Sequence, residues 1–233
     1  RAVSAARNSY TALAPGKVNL TLELLGHRPD GFHELRTVLL ALDLCDRVHV
    51  RCDSRQGTPL KLSVTGPAGS EDIPTDEGNL VYRAAQLALA RLVDLGSTPL
   101  PPLCIELEKH VPSQAGLGGG SSDAAATLRA VQAIAGRDLG NEWRQATLAE
   151  LGSDCAFFDT GAVVALCEGR GERVRVLPTP HQWHVSLVVP EITCSTAEVF
   201  GRVPSGFSPS SVSRSHTDLL AQEPGAARSS LFN

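Results

Sequence analysis

The stretch Gly116-Leu117-Gly118-Gly119-Gly120-Ser121-Ser122-Asp123 runs into an alanine-rich segment that ends at Ala135. Glycine leaves no side chain where a backbone bends sharply or approaches a ligand closely, and the apolar spacing after Asp123 predicts a helix. A glycine loop at a helix N-terminus presents unpaired N–H groups and the positive end of the helix dipole, which suit a phosphate. A flexible connector is the alternative, but this loop enters a helix directly.

The loop differs from the two commonest phosphate-binding motifs. A Walker loop ends in Gly-Lys-Ser/Thr, and no lysine follows Gly120. A dinucleotide fingerprint has a third glycine where this chain has Ser122 and Asp123. Residues Leu103–Glu108 alternate apolar and polar side chains, which predicts a strand ahead of the loop. The expected local order is therefore strand, glycine loop and helix.

Composition limits the classes of function. The chain has 233 residues, enough for one large or two small domains, with 42% hydrophobic and 20% charged residues, as is typical of soluble globular proteins. A net charge of −4 argues against a broad nucleic-acid surface, and no apolar run has the length of a membrane span. The first residues lack an apolar signal core. We expect a cytoplasmic protein with a small-molecule partner and no nucleic-acid or membrane partner.

The six cysteines show no Cys-x-x-Cys pair and lie in or beside apolar segments. Buried free thiols in a reducing compartment are therefore favoured over metal ligands. These residues are Cys45, Cys52, Cys104, Cys155, Cys167 and Cys194.

Strand patterns dominate the first hundred residues, and mixed elements follow, which predicts an α+β fold with a domain boundary near residues 155–165. Asn79 is an expected helix N-cap. The predicted strands are 18–25, 35–42, 46–52, 60–64, 103–108, 161–167, 173–177 and 184–189. The predicted helices are 79–93, 124–135, 141–151 and a short one over 193–201, with a polar Pro- and Ser-rich loop over 204–213.

Three further clusters carry reactive or aromatic side chains. They are Pro15-Gly16-Lys17-Val18-Asn19-Leu20, Gly31-Phe32-His33-Glu34-Leu35 and Leu151-Gly152-Ser153-Asp154-Cys155. Taken alone, Lys17 could be a surface lysine, Phe32 and His33 a packed turn, and Asp154 a helix or turn cap.

Together with the glycine loop, these clusters resemble the GHMP kinase superfamily. The superfamily motif Pro-x-x-x-Gly-Leu-Gly-Ser/Gly-Ser/Gly appears from Pro112 to Gly120. The Lys17 and Phe32-His33 segments resemble those of the superfamily branch whose members phosphorylate a diphosphocytidyl-linked methylerythritol in the non-mevalonate isoprenoid pathway. The resemblance runs from about Leu13 to Asn233.

The resemblance implies a two-domain GHMP kinase fold with the active site in the interdomain cleft. Residues 1–158 would form the N-terminal ATP-binding domain, and residues 159–233 would form a partial C-terminal domain, since similar kinases continue for several dozen residues past the position of Asn233. The resemblance also implies Lys17 and Asp154 as catalytic residues beside the acceptor hydroxyl. Such roles suit phosphoryl transfer, which needs an oriented alcohol, a proton acceptor and positive charge.

The resemblance further implies that ATP lies on the glycine loop, with Mg²⁺ carried by its phosphates and no protein ligand assigned. Cytosine would be sandwiched between two aromatic rings, with a histidine at its edge. The expected ATP-binding residues are Asn79, Lys109, Pro112, Gly116, Leu117, Gly118, Gly119, Gly120, Ser121 and Ser122. The expected substrate-binding residues are Asn19, Phe32, His33 and Phe200.

Two alternatives remain at this stage. One is another GHMP kinase with a smaller acceptor, of the homoserine or mevalonate type, although such an acceptor has no base for Phe32, His33 and Phe200 to bind. The other is a non-catalytic nucleotide-binding module. The sequence does not indicate an oligomeric state.

Overall fold

The computed structural model describes residues 7–69, 71–178, 183–190 and 196–203. These residues form an antiparallel-rich sheet covered by helices, as the α+β prediction requires. Within these ranges, no helix has the length and apolar character needed to cross a membrane.

Two long strands form the centre of the fold. Strand β1 spans Ser9–His27 and pairs antiparallel with β2, His33–Cys52, along nearly its whole length. The register shifts between Pro15 and Lys17, which is the signature of a β-bulge. The bulge turns the Lys17 N–H away from the ladder, and it donates to the Leu117 carbonyl at 2.8 Å. This irregularity joins the first strand to the glycine loop.

The second long strand has two different neighbours on its other edge. Its C-terminal part pairs with β4, Leu103–Glu108, and its N-terminal part pairs with β5, Val164–Gly169. Strand β3, Leu60–Thr65, runs parallel to β4, and β6, Arg173–Val176, runs antiparallel to β5. The helix Leu80–Asp94, α1, makes the crossover that a parallel pair requires.

Helices cover the sheet and supply the main core. Helix α1 spans Leu80–Asp94 and α2 spans Gly119–Ala135, and their alanine-rich faces pack together above the sheet. Helices α3, Asn141–Leu151, and α4, Cys155–Thr160, follow, and a short α5 spans Thr196–Gly201. Small alanine side chains let α1 and α2 approach closely, which holds the start of α2 firmly against the strands.

Several predictions about elements need correction. The predicted strands 35–42 and 46–52 are one continuous strand, because buried Asp46 accepts the backbone N–H groups of His110 and Val111 and does not form a turn. Residues 184–189 form no strand, and their alternating apolar side chains are largely exposed. Helix α4 was not predicted. Cys194 and the loop over 204–213 lie outside the described residues.

The predicted domain boundary at 158/159 stays a prediction. Strands β5 and β6 follow that point but pair within the same sheet as β2.

Candidate active site

The glycine loop is shaped by backbone that side chains would not tolerate. Gly118 has φ 69°, and an added Cβ would lie 3.1 Å from both Lys17 Cγ and the Phe158 ring. Glycine is therefore required there by conformation and by space. Helix α2 begins directly after it, and Gly118 offers no side-chain cap to the first N–H groups. Those donors are available to an anion.

Three separate segments meet at this loop. Lys17 N binds the Leu117 carbonyl, and Gly152, in the segment that carries Asp154, lies against the Ser121 hydroxyl, where an added Cβ would be 3.0 Å away. The glycine loop, the first strand and the Asp154 segment therefore lie side by side, which brings the two catalytic candidates, Lys17 and Asp154, together beside the loop.

Lys17 and Asp154 form the centre of the site. Lys17 Nζ lies 3.5 Å from Asp154 Oδ2 and donates to Asn19 Oδ1 at 2.8 Å. Asn19 Nδ2 in turn donates to Thr37 Oγ1 at 2.8 Å. The Lys17 side chain is only 9% exposed, whereas that of Asp154 is 29% exposed. The lysine is therefore fixed by neighbours, and the carboxylate remains open to a reactant.

Two commonplace interpretations of these residues are excluded by the geometry. Lys17 is a buried residue and not a solvated surface lysine. Asp154 occupies the N-cap position of α4, but its side chain makes no capping hydrogen bond. Its carboxylate points towards Lys17, which keeps it beside positive charge.

Lys109 lies beneath the loop in a buried ionic cluster. Its Nζ donates to Asp123 Oδ2 at 2.8 Å and also to the Asp46 carboxylate. The other Asp46 oxygen accepts the backbone N–H groups of His110 and Val111 at 2.5 and 2.7 Å. Burial lowers the pKa of Lys109, but the two carboxylates more than offset this and raise it overall. Lys109 is only 4% exposed, so contact with a nucleotide stays a prediction.

Gly119 is the point where this cluster contacts the loop. A Cβ on Gly119 would lie 3.2 Å from Lys109 Nζ and 3.2 Å from Val111 Cγ1. The cluster therefore supports the first turn of α2 from below.

Asn79 is the N-cap of α1, as the sequence predicted. Its Oδ1 accepts the Val81 N–H at 2.9 Å, and its Nδ2 donates to the Pro74 carbonyl at 2.8 Å. Leu80, the next residue, lies 3.7 Å from the position of a Cβ on Gly120. Asn79 is thus close to the loop but structurally occupied, and a contact with adenine remains a prediction. Pro112 is half-buried between β4 and α2, and its contact with the nucleotide also remains a prediction.

Aromatic rings lie close together near the turn where β1 ends and β2 begins. The His33 ring lies 4.3 Å from the His27 ring and 5.4 Å from the Phe200 ring, measured between centroids. Phe32 is 48% exposed and lies under the Arg170 guanidinium, 4.5 Å from its carbon. The structure therefore brings His33 and Phe200 together and leaves one aromatic ring open to solution.

His33 carries an unused polar atom. Its Nε2 is buried and has no hydrogen-bond partner among the described residues. Burial, and then the charge of His27, lower the pKa of His33, which favours the neutral imidazole. A neutral ring can donate or accept one hydrogen bond at a base edge.

No group of three or more His, Cys, Asp and Glu side chains that could hold a metal occurs in the described ranges. The five cysteines of those ranges are free thiols, with Cys155 and Cys167 buried. Burial raises the pKa of both thiols to about 12, which is the behaviour of inert structural cysteines.

Sequence reasoning missed Asp46, Asp123 and Arg170. Asp123 was visible as the residue after the serines, and Arg170 as the central residue of Glu168-Gly169-Arg170-Gly171-Glu172. Asp46 gave no signal, because its partners lie more than sixty residues away.

Comparison with known proteins identifies the class. Residues 79–165 match the family model for the GHMP kinases N terminal domain. A homoserine kinase from Cytophaga hutchinsonii shares the fold, with a TM-score of 0.56 at 20% identity over 88% of this chain and 63% of that one. The chain therefore has the α+β fold of the GHMP kinases.

More similar relatives narrow the family. The 4-diphosphocytidyl-2-C-methyl-D-erythritol kinase of Rhodopirellula baltica is 35% identical over 96% of this chain and 73% of its own length. The corresponding kinase of Heliobacterium modesticaldum is 40% identical over 81% of this chain and 56% of its own length. A crystal structure of 4-(cytidine 5'-diphospho)-2C-methyl-D-erythritol kinase matches with 42% identity and a TM-score of 0.55, over 73% of this chain and 56% of that one.

The chain belongs to the 4-diphosphocytidyl-2-C-methyl-D-erythritol kinase family, and it spans between about half and three-quarters of the length of these relatives.

Proposed function

We propose that the protein transfers the γ-phosphoryl group of ATP to the 2-hydroxyl of 4-diphosphocytidyl-2-C-methyl-D-erythritol, in isoprenoid precursor biosynthesis. The observation that carries the proposal is the contact between Lys17, beside Asp154, and the glycine loop at Leu117. This contact supports the proposal, because it brings a carboxylate and a buried ammonium group next to the glycine loop. Phosphoryl transfer depends mainly on positioning and electrostatic stabilisation.

The residues divide the reaction between them. The Asp154 carboxylate accepts the hydroxyl proton, the freed oxygen bonds to the γ-phosphorus, and the bond from that phosphorus to ADP breaks. Lys17 stabilises the negative charge that develops in the transition state. Asn19 orients the acceptor and holds Lys17 in place.

The nucleotide is proposed to lie with its phosphates on residues 116–122. The N–H groups at the start of α2 would bind phosphate oxygens, and Asn79 and Lys109 would flank the adenine side. Mg²⁺ supplies charge neutralisation when bound. The ion would be held mainly by the phosphate oxygens of ATP and by water, with no protein ligand assigned.

Recognition of cytidine is assigned to the aromatic cluster. Phe32 and Phe200 would stack on the faces of the cytosine, and His33 would bind its edge through the buried, unpartnered Nε2. This unsatisfied atom favours a cytidine substrate over a homoserine- or mevalonate-type acceptor.

A coupled assay of ADP release tests the proposal. The protein is incubated with ATP, Mg²⁺ and, in separate reactions, the diphosphocytidyl-methylerythritol, homoserine or mevalonate. We expect release only with the cytidine-linked alcohol. Release with homoserine or mevalonate would replace the assigned substrate, and nucleotide binding without release for any alcohol would favour a nucleotide-binding module.

A further inference from the structure

The turn between β5 and β6 carries an arginine that the proposed mechanism does not use. Arg170 stands between Gly169 and Gly171. Gly171 packs against the Asp154 segment so closely that an added Cβ would lie 3.1 Å from the Ser153 carbonyl oxygen. The base of this turn is therefore next to the proposed site of phosphoryl transfer.

The side chain of Arg170 reaches towards the other end of the site. Its guanidinium carbon lies 4.5 Å from the centroid of the Phe32 ring, and its Nη2 donates to the Ala149 carbonyl of α3 at 3.0 Å. A guanidinium stacked on a ring keeps its edge donors available, because the ring occupies only its face. Arg170 thus connects the proposed cytosine wall with the proposed catalytic segment.

Arg170 differs from neighbouring cations in its partners. Arg28 and Arg173 each contact Glu34, Arg36 contacts Glu168, and Lys17 contacts Asp154. In the part of the chain that the structure describes, no carboxylate lies within ion-pair distance of the Arg170 guanidinium, although its charge reaches Asp30. The nearby Glu172 carboxylate binds the Arg170 backbone N–H at 2.6 Å. A positive charge with neutral contacts is available to an anionic ligand.

The proposed substrate has an anion at the matching place. Its diphosphate is covalently placed between the cytidine and the methylerythritol. If the base lies at Phe32 and the alcohol at Asp154, the diphosphate must cross the region between them. Guanidinium groups bind phosphate oxygens through paired, charge-assisted hydrogen bonds.

We propose that Arg170 binds the diphosphate of the acceptor substrate and is a specificity-determining residue for diphosphocytidyl ligands. The inference rests on the proposed function. It assigns the nucleotide phosphates of ATP to the glycine loop and the acceptor diphosphate to Arg170.

Calorimetric titration with cytidine and with CDP separates the two parts of this ligand. The full chain is compared with three variants. Arg170→Met removes the charge, Arg170→Lys keeps it, and Arg173→Met changes an exposed arginine at the start of β6. We expect wild type to bind CDP more tightly than cytidine. Arg170→Met should lower CDP affinity roughly 10- to 100-fold, as for the loss of a hydrogen-bonded charge, and leave cytidine affinity unchanged.

Further arms distinguish binding from packing. Arg170→Lys should recover part of the CDP affinity, Arg173→Met should match wild type, and affinity for a non-hydrolysable ATP analogue should be the same in all. An equal loss for cytidine and CDP would show that Arg170 only supports Phe32, and would overturn the inference. If Arg170→Met does not fold, Arg170→Gln takes its place. Unchanged CDP binding in the variant overturns the inference alone, whereas failure of wild type to bind either ligand overturns the proposed function with it.

Discussion

Lys109 Nζ lies 2.8 Å from Asp123 Oδ2 and also pairs with Asp46, so that one buried ammonium group contacts two buried carboxylates. With both carboxylates ionised, this interior would hold a net negative charge, which a low-dielectric environment disfavours. Burial, against the opposing charge of Lys109, raises the pKa of Asp123 to about 7. The start of helix α2, where the glycine loop ends, therefore lies against a group that titrates near neutral pH.

This relationship predicts a pH dependence of stability. The folded-state pKa of Asp123 is above its unfolded value, so the native state binds the extra proton between about pH 4 and pH 7. Asp123 therefore makes the free energy of unfolding fall as pH rises through that window, by up to about 1.4 kcal/mol per pH unit. In urea unfolding of the nucleotide-free protein, Asp123→Asn should lack this fall, so that its free energy of unfolding decreases less, or increases more, from pH 4 to pH 7 than that of wild type.

The matched control for that experiment is Asp94→Asn, which changes an exposed aspartate at the end of α1. Its profile should parallel that of wild type. If Asp123→Asn also runs parallel to wild type from pH 4 to pH 7, the carboxyl is ionised throughout that range and the cluster does not titrate as argued.

Two adjacent glycines should respond differently to the same substitution. A Cβ at Gly119 meets Lys109 Nζ and Val111 Cγ1 at 3.2 Å, whereas a Cβ at Gly120 meets only Leu80, at 3.7 Å. Overfilling a packed site typically costs about 1–3 kcal/mol, and alanine is the better helix former where space allows. Gly119→Ala should therefore unfold at lower urea concentration than Gly120→Ala. Equal urea midpoints for the two variants would mean that the ionic cluster of Lys109 shifts at little cost and does not hold the glycine loop in place.

Asp154 is expected to act on turnover and not on nucleotide binding. Its open carboxylate next to buried Lys17 suits a proton acceptor. Asp154→Asn should lower kcat by about 10²–10⁴-fold, while affinity for an ATP analogue stays at the wild-type value. Glu150→Gln, an exposed substitution on the preceding helix, is the control. Near-normal turnover of Asp154→Asn would remove it from the mechanism.

Lys17 should likewise affect the chemical step more than ATP binding. Its Nζ points to Asp154 and Asn19, whereas its backbone N–H and the Cγ of its side-chain stem lie against the glycine loop at Leu117 and Gly118. Lys17→Met should reduce kcat far more than it raises the KM for ATP, since the charge acts on the transition state. Lys61→Met, on an exposed position of β3, controls for loss of a lysine. A change confined to the KM for ATP would assign Lys17 to the nucleotide site instead.

Local patterns predicted much of the fold. Asn141–Leu151 and Leu103–Glu108 have the predicted bounds, because helix periodicity and strand alternation are properties of neighbouring residues. The Asn79 cap was predictable for the same reason. The long strand through Asp46 was not, because its carboxylate is satisfied by backbone and lysine more than sixty residues away.

The candidate site was predictable only where a motif carried it. The glycine loop, Lys17 and Asp154 stand in recognisable segments, and the structure brings them together. The role of Lys109 beneath the loop depends on burial, which its position after an alternating strand did not reveal. Arg170 stands between two glycines in the sequence, but its stacking on Phe32 depends on tertiary contacts.

The last prediction concerns the aromatic cluster of Phe32, His33 and Phe200. His33 packs against Phe200, and its Nε2 has no partner in the described part of the chain. His33→Ala and Phe200→Ala should each raise the KM for the cytidine-linked substrate, because a lost base contact costs roughly 1–3 kcal/mol. The KM for ATP should not change, since the glycine loop lies at the other end of the site. His49→Ala, which removes a ring hydrogen-bonded to the Thr11 hydroxyl, is the control. If both variants weaken ATP and the cytidine substrate equally, the cluster supports the fold and does not recognise the base.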